Sequence, residues 1–253
     1  MTLLQPKIVG EGLSKNCVAH WSMDGHWQDV CGSGNGNHGT PVNSPTFNTT
    51  TPMLGSASGV FVSASSQSVN CGNDTSLYVG TKDFTIYGWV KTSDSTNLQS
   101  IVMKGTASSQ FRVTIRGDVA NDPLQLYMLD GLAASVTITQ TDFSINVTDG
   151  AKHVFCVTVN RSGNAILYID GSEVGSGSVG VVSDVVDTAS DDLIIGKHSY
   201  AATWFLNGNI DDTAMWINRV LSPSDVAMLY NYGNGFSMSR NILTPHVVGG
   251  YGV

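Results

Sequence analysis

Apolar and polar residues alternate along much of the chain, which is the period of a half-buried β-strand. The segment 83–91 shows this most cleanly, because Phe84, Ile86, Gly88 and Val90 share one face. Similar short segments are separated by turn residues about every 8–12 positions, a spacing typical of an antiparallel two-sheet sandwich. Strands are predicted at 17–23, 59–62, 67–71, 83–91, 100–104, 110–116, 124–129, 135–140, 153–160, 165–170, 192–197 and 206–217.

A different pattern near the end of the chain predicts one short helix. Ser222 is the predicted N-cap, Pro223 occupies the first helical position and Asp225 completes a capping box. Apolar residues at positions 226, 229 and 230 supply one face, and Gly233 is the predicted end.

The chain of 253 residues divides into three predicted parts. Residues 1–16 have no clear period and are expected to form an extended arm. Residues 17–236 carry all the predicted strands and form one sandwich domain, and residues 237–253 form a tail with Pro245 and several glycines. The first residues lack the basic start, apolar core and cleavage site of a signal peptide, so either the chain is not exported by that route or a signal has been removed.

Composition narrows the function classes. Charged residues make up only 13% of the chain, and Ser, Thr, Asn and Gly take their place, as is typical of short strands joined by turns. The net charge of −8 disfavours binding to nucleic acid. No apolar run approaches the roughly 18–20 residues of a membrane span, so none is predicted.

Two segments far apart in the chain carry a recognisable motif. The first comprises Trp21–Asp24 (WSMD) and Asp29–Gly39, and the second is Gly208–Tyr230. Together with the strand Asp83–Lys91, they resemble the laminin-G-like, concanavalin A-like lectin/glucanase family of jelly rolls (LamG/pentraxin-like). The resemblance covers about residues 17–236 and implies an all-β, two-sheet antiparallel sandwich with one short C-terminal helix. This fold hosts lectins, adhesive modules, structural proteins and glycanases, so the fold alone does not assign a function.

The residues needed for glycan hydrolysis are missing. The family's retaining glycanases place two glutamates and an aspartate at alternate positions of one strand, but this chain contains only Glu11 and Glu173. The aspartate pairs at 191–192 and 211–212 are adjacent, so their side chains would point to opposite faces of a strand. We therefore predict that the protein is not an enzyme.

A structural calcium ion is one candidate ligand, since calcium prefers carboxylate, amide and backbone oxygens. The first loop offers such oxygens, and the resemblance implies that it lies against the last strand. Alternatively, these side chains bond the amides of the turn and hold no ion. The candidate ligands are Asp29, Asn35, Asn37, Asp211 and Asp212.

Exposed aromatic rings beside polar groups would indicate sugar binding. Trp27, Tyr127, Tyr200 and Trp204 lie in or near predicted loops or strand ends and are the candidates. The other tryptophans occupy strand positions of the family and are expected in the core.

The four cysteines, at positions 17, 31, 71 and 156, lack metal-type spacing. Buried reduced thiols are the first prediction for them. The alternative is a Cys17–Cys31 disulfide, formed if the protein matures in oxidising surroundings.

Two functions follow from these features. The first is a non-catalytic structural or adhesive protein of a bacteriophage virion surface, a capsid decoration or fibre-type protein with glycan binding as an added role. Its terminal arms would dock on other virion proteins, and homo-oligomers are expected. The alternative is a carbohydrate-binding or adhesion module of a bacterial extracellular protein.

Overall fold

The computed structural model of the protein describes residues 10–185, 191–201 and 203–236, which form two antiparallel sheets. The eight-stranded sheet runs in the order β13 (Ser172–Ser178), β12 (Asn164–Ile169), β11 (His153–Val159), β6 (Phe84–Thr92), β15 (Gly208–Ile217), β4 (Ser58–Phe61) and β3 (Thr46–Asn48), with β1 (Cys17–Trp21) also pairing with β15. The seven-stranded sheet runs in the order β10 (Ser135–Thr139), β9 (Leu124–Leu129), β8 (Gln110–Arg116), β7 (Leu98–Gly105), β14 (Leu193–Ile195), β5 (Ser68–Asn70) and β2 (Thr40–Val42). The predicted two-sheet sandwich is confirmed.

Strand β6 shows why the eight-stranded sheet is buried on both faces. Phe84, Ile86 and Val90 point into the main core between the two sheets. Tyr87 and Trp89, which alternate with them, belong to a second apolar cluster on the outer face of the same sheet. The two described helices cover this second cluster. No helix of the described residues packs on the outer face of the seven-stranded sheet.

The helix α2 spans Pro223–Tyr230 and begins as predicted. The backbone N–H of Asp225 donates to the Ser222 hydroxyl at 3.2 Å, and the N–H of Ser222 donates to the Asp225 carboxylate at 3.0 Å. The helix ends at Tyr230 because Asn231 adopts the left-handed conformation, and a 3-10 turn, Asn231–Gly233, follows. Two other 3-10 turns occupy Ser63–Ser65 and Thr75–Leu77.

A second helix, α1, lies within the segment expected to be an extended arm. It spans Gly10–Ser14, and Leu13 is buried. The indole nitrogen of Trp216 donates to the Leu13 carbonyl at 2.7 Å, which fixes the helix on the eight-stranded sheet. Five residues are too few for a helical period to be seen in sequence. Residues 1–9 and the predicted tail 237–253 lie outside the described residues.

Two strands lie in a region that sequence treats as irregular. β2 and β3 fall within the stretch from Gly32 to about Pro52, where Gly, Asn, Thr and Pro predict a loop. Each is three residues long and pairs as an edge strand, β2 with β5 and β3 with β4. Pairing with a neighbouring strand therefore overrides the weak local preference of these residues for a loop.

No helix in the described part of the chain is long and apolar enough to cross a membrane. The four cysteines are buried and carry free thiols.

Candidate functional site

The first loop lies against the last strand, with His20 of β1 between them. Asp29 accepts hydrogen bonds from the backbone N–H groups of His20, Cys31 and Asn37, at 2.9, 3.0 and 3.3 Å. The other side of His20 faces β15, where its Nε2 lies 2.5 Å from Oδ1 of Asp212. We call this group of residues 20, 29, 31, 37, 211 and 212 the loop–strand junction.

Three titratable side chains of the junction, those of His20, Asp211 and Asp212, are buried. Burial acts to lower the pKa of His20, but the adjacent Asp212 carboxylate outweighs it, so the pKa is raised. Burial raises the pKa of Asp211 to about 8. Asp211 also accepts backbone N–H bonds from Leu54 and Asp212, both at 2.9 Å. The bond from Leu54 fixes the last strand to a distant segment, and the bond from Asp212 is local to the strand, so Asp211 has a structural role.

The predicted calcium ligands are thus brought together at the loop–strand junction, and most of their polar atoms bond the protein itself. Among the described residues, Oδ1 of Asn37 and Oδ2 of Asp212 are buried without a hydrogen-bond partner. The side-chain amides of Asn35 and Asn37 both donate to the Val18 carbonyl, at 3.2 and 3.0 Å. Within the described ranges, no three His, Cys, Asp or Glu side chains are placed to hold a metal ion together. The contacts follow the turn-bonding alternative, and calcium binding stays a prediction.

A different group of polar and aromatic side chains lies on the outer face of the seven-stranded sheet. Phe111 and Val113 of β8 point into the core, so Arg112 between them points outward. Tyr127 of β9 is its partner in register, and the Arg112 Cζ lies 3.9 Å from the centre of the Tyr127 ring. Nη1 of Arg112 donates to the side-chain oxygen of Gln110 at 2.8 Å.

The loop between β14 and β15 folds over these strands. It is closed by a bridge between Lys197 and Phe205. Within the loop, the His198 ring packs edge-on against the rings of Tyr200 and Trp204. The distances from its ring centroid to theirs are 4.3 and 4.4 Å.

The loop also contacts β8 directly. The Trp204 ring centre lies 5.2 Å from the Arg112 Cζ. The Tyr200 hydroxyl accepts a hydrogen bond from the side chain of Gln110. The loop therefore completes a site that the sheet begins, which we call the Arg112 cluster: Gln110, Arg112, Tyr127, His198, Tyr200 and Trp204.

The Arg112 cluster combines exposed ring surface with polar atoms that have no partner. Tyr200 is 49% exposed, and Tyr127, Trp204 and Arg112 are half-buried. Within the described part of the chain, Nε of Arg112 and Nε2 of His198 are buried without a hydrogen-bond partner. Burial, and after it the charge of Arg112, lowers the pKa of His198 to about 4, so this ring is neutral at pH 7. A ring platform beside a cation suits a ligand that has both apolar and polar surface.

Three of the four predicted sugar-binding aromatics lie in this cluster, and Trp27 does not. Trp27 was expected to be exposed but is only 9% exposed, and it stacks on Phe47 with ring centroids 4.3 Å apart. Gly59 makes room for it, since a Cβ there would lie 2.8 Å from the indole. The indole is therefore part of the core.

Sequence reasoning did not select Arg112, Gln110 or His198. The alternation of β8 contained a signal for Arg112, because it is a cation at an outward position between apolar residues. No local pattern marks His198, since its partners are Arg112 of β8 and residues at irregular spacings further along its own loop.

The sequence and fold can be compared with known proteins. The model of the concanavalin A-like lectin/glucanases superfamily (Laminin_G_3) matches residues 63–227, and the chain belongs to this superfamily. No curated protein sequence matches the chain significantly.

Solved structures with the same fold include the binding domains of several toxins and one domain of an extracellular enzyme. The binding domain of Paraclostridial Mosquitocidal Protein 1 superposes with a TM-score of 0.68 at 17% identity, covering 87% of this chain and 53% of that one. The binding domain of botulinum neurotoxin serotype G gives 0.64 at 19% identity, covering 86% and 51%. The chain thus spans about half the length of these toxin domains.

Domain 4 of AbnA, an extracellular arabinanase of family GH43 from Geobacillus stearothermophilus, matches over nearly its whole length. The TM-score is 0.65 at 17% identity, covering 84% of this chain and 97% of that one, and the structure holds arabinotriose. At such identities, the similarity establishes the fold. The neighbours are carbohydrate-binding and receptor-binding β-sandwiches.

Proposed function

We propose that this protein is a non-catalytic carbohydrate-binding module and that its ligand binds at the Arg112 cluster. The observation that carries the proposal is the convergence of Tyr127, Tyr200 and Trp204 around one arginine, on the sheet face that neither described helix covers. Aromatic faces pack against the C–H face of a pyranose or furanose, and polar groups at the rim bond its hydroxyls. The arabinotriose bound to a domain of the same fold supports the proposal.

The absence of a suitable carboxylate pair supports a binding role over a catalytic one. Hydrolysis of a glycosidic bond needs two carboxyl groups about 5–10 Å apart on either side of the bond. In the described part of the chain, Arg112 forms no ion pair, and the titratable groups that interact with it are Tyr200, Tyr127, Arg116 and His198, none of which is a carboxylate. Asp211 and Asp212 are bonded within the junction instead.

A glycan array tests the proposed site. We expect the wild-type protein to bind one class of glycan, and Tyr200→Ala and Trp204→Ala to weaken that binding at least about tenfold. Tyr232→Ala is the matched control, because Tyr232 is 93% exposed but follows α2 on the opposite side of the sandwich. Binding that survives both cluster substitutions would overturn the proposed site.

We further propose that the module is displayed outside the cell, on a bacteriophage virion or on a bacterial extracellular protein. Its charge-poor composition and the extracellular origin of the arabinanase domain support display at a surface. Mass spectrometry of purified virions and of the culture medium from the source organism separates the two carriers. Recovery of the chain only from the cytoplasm of intact cells would contradict both.

A further inference from the structure

Arg112 differs from the other described arginines in its surroundings. Arg116 pairs with Asp118 at 2.7 Å, and Arg219 lies 3.6 Å from Asp225. Arg161 donates to the Val182 carbonyl at 2.8 Å and has aspartates nearby. Arg112 forms no ion pair among the described residues.

The cluster holds the guanidinium of Arg112 in one place. The Tyr127 and Trp204 rings lie 3.9 and 5.2 Å from its Cζ, and Gln110 takes one N–H. A cation that is already positioned loses little conformational freedom when a ligand binds. Its planar fork of donors matches the two oxygens of a carboxylate or sulfate.

Arg112 is also the permanent charge of the cluster. His198 has a lowered pKa and stays neutral, with its Nδ1 accepting the backbone N–H of Ala201 at 3.2 Å. The other members of the cluster are an amide, two phenols and an indole. The chain as a whole carries −8, and Arg112 is a partly desolvated cation with no counter-ion among the described residues.

From these contacts we infer that the ligand of the Arg112 cluster is an anionic saccharide, whose carboxylate or sulfate group bonds the Arg112 guanidinium while its sugar ring packs on Tyr200 or Trp204. This inference rests on the proposed function and adds the charge of the ligand to it. A charge-assisted bond to a partly buried arginine contributes enough to separate acidic from neutral glycans by roughly 10- to 100-fold in Kd.

An array of paired glycans provides the test. Each pair differs only in charge: uronate oligosaccharides with their methyl esters, sialylated glycans with their asialo forms, and sulfated glycans with their desulfated forms. We expect binding to the acidic member of at least one pair to be 10- to 100-fold tighter than binding to the neutral member. The pair that responds tells whether a carboxylate or a sulfate is recognised.

Two variants connect the preference to the arginine. Arg112→Met keeps the aliphatic stem but removes the charge, so it should abolish the preference, while Arg112→Lys should retain part of it. Arg116→Met is the matched control, because Arg116 lies four residues after Arg112 on the same face of β8 and pairs with Asp118. Its preference should equal that of the wild type, and circular dichroism confirms that each variant is folded.

The outcomes separate the two proposals. Equal binding of both members of every pair would overturn the anionic ligand and leave carbohydrate binding in place. An acidic preference that persists in Arg112→Met would also overturn the inference. Binding to no glycan on the array would contradict the proposed function itself.

Discussion

The loop–strand junction and the Arg112 cluster both bring polar side chains together from distant parts of the chain, but they treat these side chains differently. At the junction, His20 and Asp212 are buried against each other, and Asp29 accepts three backbone N–H groups. Among the described residues, Nδ1 of His20, Oδ1 of Asn37 and Oδ2 of Asp212 have no hydrogen-bond partner, but they are enclosed in the fold. At the cluster, Arg112 has rings around it and no counter-ion among the described residues. Both sites contain buried polar atoms without a partner, but the cluster places them beside exposed ring surface, where a ligand can bind.

The comparison also separates two kinds of sequence signal. The junction contains the motif that reveals the family, and its contacts are structural. The cluster has no motif, and its residues come from β8, β9 and one loop. In this protein, the residues that reveal the family are therefore not the residues of the proposed binding site.

The largest expected effect is at the junction. Asp212→Ala leaves His20 buried without its partner, and breaking a buried ion pair in this way costs about 3–5 kcal/mol of unfolding free energy. Urea denaturation measures it. Asp118→Ala is the control, since it breaks only the surface pair with Arg116 and should cost no more than about 1 kcal/mol. Similar costs for the two variants would contradict the structural role of the junction.

The two tryptophans Trp27 and Trp204 should separate stability from binding. Trp27→Ala removes a buried indole from the core and should lower the unfolding free energy by about 3 kcal/mol. Trp204→Ala should cost less stability, because Trp204 is half-buried, but should weaken glycan binding. Denaturation and binding measured on both variants test this, and a larger loss of binding in Trp27→Ala would reverse the assignment.

The junction should also make stability depend on pH. The folded-state pKa of Asp211, about 8, lies above its unfolded value, so the folded state retains this proton and the associated stability is lost as pH rises through about 8. The raised pKa of His20 acts in the same direction, since its contribution is complete below about pH 6.5 and is lost above it.

We therefore expect the unfolding free energy to fall by on the order of 2 kcal/mol between about pH 5 and pH 8. Asp211→Asn should flatten this slope. Asp118→Asn should not, because the lowered pKa of Asp118, caused by Arg116, affects stability only at acid pH. An unfolding free energy that stays level or rises over this range would contradict the raised pKa of Asp211.

The smallest expected effect concerns calcium. If the ion binds the first loop, adding calcium should raise the unfolding free energy by on the order of 1 kcal/mol, and a chelator should reverse the change. Asp29→Asn should remove the response to calcium, and Asn146→Asp, in a loop outside the junction, should keep it. An identical melting temperature with calcium and with chelator would contradict calcium binding and would favour the alternative in which these side chains only bond the amides of the turn.

The sequence by itself determined most of the strands, the helix α2 and the family. Alternation located strands such as β6, and the capping box located α2, because each of these signals depends on residues close together in the chain. The aromatic candidates at 127, 200 and 204 were also named from sequence. Which of them share a site was not predictable from local patterns.

Only the tertiary structure decided where these side chains meet. Trp27 is buried because Gly59, more than thirty residues away, leaves space for its ring. Arg112 faces Tyr127 because of the register between β8 and β9, and a loop more than eighty residues later completes the cluster. Strand register and the position of a loop depend on contacts between segments far apart in the chain. The energies of these contacts arise only when the whole domain is packed, so a local sequence pattern does not predict them.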